Sequence, residues 1–255
     1  MSKYFTIAAR LTVYMLIIIA VTPFHAFGRH VALCIGVDDY GPQQSLRYAV
    51  SDADALARRL EHRGFDEVIT LKNSEAKRDD ILAAIQSVTD EASSDDVVVV
   101  FFAGHGRQVA DEKGQIRSYL VPYACPLDEA AERGLSVRAL TDLLMLSDSK
   151  VVLLLDACHS GEEMKSVASS APRAYSDLRV LAACQQSEYA FERKGHGLFT
   201  LEILHALDVS GSVQGKPVDF DKLAQSVAQR ISSATGSWQR PQYTRMDLES
   251  AVVMM

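Results

Sequence analysis

Five short, nearly unbroken apolar runs constrain this chain more than any other feature. They are Val31–Val37 (VALCIGV), Val68–Leu71, Val97–Ala103 (VVVVFFA), Val151–Leu155 (VVLLL) and Leu178–Ala183. A strand with one face in water would alternate apolar and polar residues. Runs this solid read as strands covered on both faces. Between them, apolar residues recur at helical spacing. Ala49, Ala53, Leu56 and Leu60 form one stripe, stopped by Gly64, and Ile81, Ile85 and Val88 form a second, ended near Ser93-Ser94. Leu140, Leu143 and Leu144 mark a third helix, and two more are expected over 198–207 and 220–231, the latter with Phe220, Leu223, Val227 and Ile231 on one face. A last strand is expected within Leu248–Met254. This alternation predicts an α/β fold with a mostly parallel sheet of about six strands and helices on both faces. In such sheets the site forms on the loops that leave the carboxyl ends of the strands.

The reactive residues sit at those ends. Gly104-His105-Gly106 follows VVVVFFA directly, and Asp156-Ala157-Cys158-His159-Ser160-Gly161 follows VVLLL. A thiolate, not a thiol, is the nucleophile, and a neighbouring imidazole favours it. His105 and Cys158 therefore read as a catalytic pair, with His105 protonating the leaving amine. The flanking glycines let the backbone turn sharply and approach a substrate. The N–H groups of Gly106 and Cys158 are candidate donors to an oxyanion. The bland alternative is a buried filler cysteine and an ordinary histidine, but two such residues ending two buried strands among glycines is a rare coincidence. A metal site built from His105, Cys158 and His159 lacks a fourth ligand at a familiar spacing. His159, Ser160 and His196 read as loop-forming or water-facing groups.

FFAGHG followed 53 positions later by DACHSG resembles the caspase-like cysteine peptidases, especially their metacaspase and paracaspase branches. IGVDDY after the first strand and RPQYT near the end extend the resemblance over essentially all of Val31–Val253. It implies a caspase-like sandwich, endopeptidase activity through a His/Cys dyad, and no metal or cofactor for the bond-breaking step. It also implies an acidic pocket and cleavage after Arg or Lys, with Asp52, Asp156 and Glu188 on the corresponding positions. Paired carboxylates suit a guanidinium's bidentate geometry. Read as residues alone, Asp52 serves equally as a cap or first-turn acid of its helix, and Glu188 as a solvated loop acid. Asp156 is harder to dismiss, because a carboxylate ending VVLLL needs a reason to be there. Tyr123-Ala124-Cys125-Pro126 departs from the Val/Ile-Asp pair that relatives usually carry. The polar stretch 161–177 is cleaved in several relatives, and Lys165 or Arg173 would be suitable cut points. Calcium activation, known in metacaspases, finds no clear acidic loop here. The alternatives to a basic-specific peptidase are a silent caspase-like binding module, or another cysteine hydrolase such as a transpeptidase.

Residues 1–28 carry Lys3 and Arg10 and no acid, then an apolar run from Leu11 to Ala20, then Ala26-Phe27-Gly28. That pattern predicts a cleaved export signal and a secreted or periplasmic product, with the peptidase-like domain over 29–255. Pro23, His25 and Gly28 interrupt the apolar stretch, so no stable membrane anchor is expected. The formal net charge of −7 leaves no footprint for nucleic acid and favours basic peptide partners. Of the four cysteines, Cys34 and Cys184 lie within apolar runs, where a free thiol packs as a small hydrophobe, and no pair has zinc-type spacing.

Overall fold

All five apolar runs become strands of one sheet in the computed structural model, which describes residues 28–158, 178–185, 188, 190–209, 218–244 and 253–254. In chain order the elements begin with β1 (His30–Gly36), α1 (Ala49–His62), β2 (Glu67–Lys72), α2 (Arg78–Asp90) and β3 (Val97–Ala103). A central stretch follows, with β4 (Gly106–Ala110), β5 (Ile116–Leu120), α3 (Ala130–Arg133), β6 (Leu135–Ser136) and α4 (Val137–Leu144). The last part holds β7 (Lys150–Asp156), β8 (Leu178–Ala182), β9 (Glu192–Arg193), β10 (His196–Gly197), α5 (Leu198–Val209), β11 (Val218–Asp219), α6 (Phe220–Ala234), β12 (Gln242–Tyr243) and β13 (Val253–Met254).

The main sheet has the order β12-β8-β7-β3-β1-β2. Its pairs from β8 to β2 are parallel, and only β12 runs antiparallel, at one edge. The central strands β8, β7, β3 and β1 are mostly apolar because both faces are covered, whereas the edge strand β2 is only half-buried. In β3, Val97, Val99, Phe101 and Ala103 point into the core shared with α1, α5 and α6, while Val98, Val100 and Phe102 point into the core shared with α2 and α4. The register sets Ala103 level with Asp156, so β3 and β7 finish at the same height. The loop after β1 prepares the next helix: Asp38 accepts from the N–H groups of Ala49 and Val50 at 2.8 and 3.2 Å, capping α1 from a distance. Past its other end, Gly64 adopts φ +91°, the left-handed turn expected of a helix stop.

Two differences from the sequence reading stand out. A second, antiparallel sheet (β4-β5-β6) fills the stretch between the two reactive loops. Its strands GRQVA and IRSYL are short and half-exposed, so they give no solid apolar run. The sixth strand of the main sheet is also not the apolar C-terminal run but β12, from RPQYT. Thr244 fixes that edge, its N–H donating to the Val180 carbonyl and its Oγ1 accepting from Val180 N–H, both at 2.9 Å. Val253–Met254 pairs with β11 in a separate ribbon.

Candidate active site

His105 and Cys158 line one cleft at the carboxyl ends of β3 and β7. Parallel pairing delivers them there, and Gly104 N–H reinforces the match by donating to the Asp156 carbonyl at 3.2 Å. The approach of the two loops depends on missing side chains. A Cβ on Gly106 would lie 2.0 Å from the Cys158 carbonyl oxygen, and one on Gly104 would lie 2.6 Å from the Tyr40 hydroxyl.

The imidazole of His105 is held on several sides. Its Nε2 lies 2.7 Å from the Gln44 carbonyl oxygen. A carbonyl only accepts, so Nε2 carries a proton, and in the neutral imidazole Nδ1 keeps the lone pair. Tyr40 packs against the ring, with centroids 4.6 Å apart. The Tyr40 hydroxyl accepts from His105 N–H at 3.0 Å and donates to the Val121 carbonyl at 2.8 Å. Burial pushes that hydroxyl above its ordinary range, so it stays a neutral donor. Neither the Tyr40 clamp nor the Gln44 carbonyl was read from sequence. IGVDDY was a visible signal for the first, whereas a backbone oxygen has no signature.

Beside the pair lies an acidic region. Asp52, Asp156 and Glu192 line the cleft with Tyr48, Ala190 and Phe191. Asp156 is buried, and its Oδ2 accepts from Thr200 Oγ1 at 2.6 Å and Thr200 N–H at 3.3 Å, in the first turn of α5. Burial pushes the Asp156 carboxyl up to about 6, against the downward pull of those bonds. Asp52 does not cap α1, a task Asp38 performs. It projects from the first turn toward β10, accepting at Oδ2 from Gly197 N–H at 2.9 Å, with Oδ1 2.5 Å from His196 Nδ1. Burial first, then the nearby charge of Asp156, pushes Asp52 up to about 8. His196 is therefore not a water-facing loop residue; it grips a buried carboxyl group.

Glu188 takes another place. It is buried outside the cleft, where its carboxylate accepts from Arg240 N–H at 2.7 Å, Arg240 Nε at 2.5 Å and Gln185 N–H at 3.2 Å. The acid that reaches the cleft from this part of the chain is Glu192, four residues on. It stands on the β9–β10 hairpin, whose two-residue turn puts Lys194 and Gly195 at φ 55° and 82°, the form that suits a tight hairpin. His159, Ser160, Lys165 and Arg173 lie outside the described residues, as does nearly all of the predicted export signal.

Comparison with known proteins identifies the family and the fold. The family model for the caspase domain matches residues 29–253. Metacaspase-1 of Lodderomyces elongisporus is 24% identical over 240 residues, covering 88% of this chain and 50% of that protein. Metacaspase-1 of Yarrowia lipolytica is 28% identical over 166 residues, covering 60% of this chain and 35% of its own. The chain thus spans about half the length of the first of these relatives, or less of the second. Among solved structures, a Geobacter sulfurreducens protein superposes with a TM-score of 0.64 at 18% identity, covering 85% of this chain and 92% of that one. The Drosophila initiator caspase Dronc gives 0.61 at 13% identity, covering 86% and 80%. At these identities the likeness is one of fold.

Proposed function

The chain belongs to the caspase-domain family, and from that premise we propose that it is a cysteine endopeptidase cleaving peptide bonds after Arg or Lys. One observation carries the reading: His105 and Cys158 share a cleft with Asp52, Asp156 and Glu192. In the proposed reaction Nδ1 of His105 takes the Cys158 proton, and the thiolate attacks the scissile carbonyl carbon. The N–H groups of Gly106 and Cys158 receive the oxyanion. His105 then protonates the leaving amine, and water, deprotonated by the same imidazole, hydrolyses the thioester. The step needs no metal ion.

The acidic region supports the choice of a basic residue before the scissile bond. Two buried carboxyls held near neutrality carry a desolvation penalty when ionised, and an incoming guanidinium relieves it. Arg, with a planar fork of donors, gains more than Lys. Asp52 acts here mostly as charge, because His196 and Gly197 already occupy its oxygens. Asp156 and Glu192 are the direct partners. The export signal remains the reading of residues 1–28, and a mature N-terminus at or near Arg29 in secreted material would bear it out.

The test is a panel of fluorogenic peptides differing only at the residue before the bond. The expected order is Arg above Lys, with Asp and Asn at least about 10²-fold lower in kcat/KM. Preference for Asp would overturn the acidic-pocket reading. Absence of turnover for every peptide, with or without calcium, would instead favour a binding module.

A further inference from the structure

None of the four cysteines is in a disulfide, and they differ sharply in setting. Cys34 is buried within β1, and Cys125 lies outside the cleft, on the loop before α3. Cys158 is half-exposed in the cleft, while Cys184, two residues beyond β8, is fully buried. These last two are brought together. β7 and β8 run parallel with Leu155 level with Ala182, and the ladder continues as Ala183 N–H donates to the Leu155 carbonyl at 2.9 Å. Both chains leave the sheet side by side there, Cys158 being the second residue past β7 and Cys184 the second past β8. Adjacent strands lie about 4.8 Å apart, within the Cα separation that a disulfide spans. The two side chains are in hydrogen-bonding contact, and that contact, with burial, keeps Cys184 a thiol well above its ordinary range.

We propose that Cys184 is a resolving cysteine for Cys158: oxidation of the exposed thiol by a peroxide is followed by a Cys158–Cys184 disulfide that reversibly silences the site. Exposure sets the order of events, because peroxide reaches Cys158 through the cleft and cannot reach Cys184. The Cys158 thiolate attacks one peroxide oxygen, the O–O bond breaks, and a sulfenic acid and hydroxide form. The Cys184 sulfur then attacks the Cys158 sulfur, the S–O bond breaks, and the departing hydroxide takes the Cys184 proton as water. Overall two thiols lose two electrons and two protons, and peroxide becomes two waters. The disulfide diverts Cys158 from the sulfinic and sulfonic acids, which thiols do not reverse. A buried partner just past the end of the adjacent strand can do this without rearrangement of the sheet.

That the link silences a peptidase rests on the function proposed above; that it forms does not, and the experiment separates the two. Full-length reduced protein is titrated with hydrogen peroxide, then analysed by intact mass and by non-reducing peptide mapping. The expected result is a loss of about 2 Da and a linked peptide pair carrying Cys158 and Cys184. Arg-peptide turnover should fall in step and return with dithiothreitol. In Cys184→Ser the same dose should add about 32 Da at Cys158, with no recovery on reduction. Cys184→Ala serves as a second variant, and the wild-type map stands even if neither folds. A wild-type map showing sulfinic Cys158 and no link, or Cys158 joined to another cysteine, would overturn the proposal. A link in a protein that cleaves nothing would overturn the peptidase reading and leave this one standing.

Discussion

The two walls of the cleft are built on different physical terms. One wall is the level ends of β3 and β7, where Gly104, His105, Asp156 and Cys158 are fixed by parallel pairing between fully buried strands. The other is the β9–β10 hairpin, two residues on each side of its turn, carrying Glu192, His196 and Gly197. A few polar contacts hold it: His196 to Asp52, Gly197 N–H to Asp52, Ser51 Oγ to the Gly195 carbonyl at 3.4 Å, and Phe191 N–H to Gln239 at 3.0 Å. Displacing the first wall requires breaking the sheet, whereas moving the second requires losing only a handful of bonds. In the proposed reaction the bond-breaking chemistry belongs to the rigid wall, and selectivity is shared with the adjustable one.

Variants can break that comparison, beginning with the rigid wall. Cys158→Ala should lower kcat for Arg peptides about 10⁴-fold or more, with an unchanged thermal transition, because the strand ends do not depend on the thiol. Asp156→Asn keeps a hydrogen-bonding partner for Thr200 but removes the charge. The kcat/KM for Arg peptides should fall about 10²-fold, collapsing the difference between Arg and uncharged residues. A uniform loss across all peptides would instead assign Asp156 to folding.

The adjustable wall should respond more gently. A Cβ on Gly197 would lie 2.6 Å from Asp156 Oδ2 and 3.1 Å from Asp52 Oδ2. Gly197→Ala should therefore push the hairpin outward and lower kcat/KM about tenfold. A loss of Arg selectivity without loss of kcat would sharpen the division between the walls.

The pH dependence follows from the same carboxyls. Asp156 and Asp52 are raised to about 6 and about 8, so each is neutral below its value and attracts a cation only above it. The kcat/KM for Arg peptides should rise between about pH 6 and 8, and Asp52→Asn should flatten the upper part by a few-fold. Folding responds with the opposite sign. The native state keeps these protons while the unfolded chain loses them near its ordinary value of about 4. Their stabilising contribution is therefore complete below that pH and is lost as pH climbs to about 6 and about 8. Thermal melts of wild type and Asp52→Asn across that window test the sign.

The smallest change in turnover is expected at Glu188. Because it fastens the loop after β8 to Arg240, Glu188→Gln should change kcat/KM less than about twofold while lowering Tm by about 2–4 °C. A tenfold loss of turnover at constant Tm would return Glu188 to the substrate pocket.

What could be read from the sequence follows the same division. The buried strands, the helices and the reactive residues at strand ends were legible, because strand periodicity and strand-end position are local properties. Asp156 was legible for the same reason, being the last residue of a solid apolar run. The cleft is lined by Glu192 where the sequence suggested Glu188, since Glu188 is drawn to Arg240, 52 positions away. His196 and Asp52 are 144 positions apart, a separation at which neither residue type announces a partner. The small antiparallel sheet was missed because half-exposed strands of five residues carry little pattern.

The Gln44 carbonyl that holds His105 Nε2 imposes a rule of its own on evolution and engineering. Replacing the side chain at position 44 leaves that oxygen where it is, so alanine scanning would pass over the residue in silence. Removing one residue between 41 and 46 would withdraw the acceptor and let the imidazole rotate. The stretch around Gln44 is thus free to drift in spelling while being held to a fixed count of residues, unlike Asp38 and Tyr40 earlier in the same loop, whose side chains are in use.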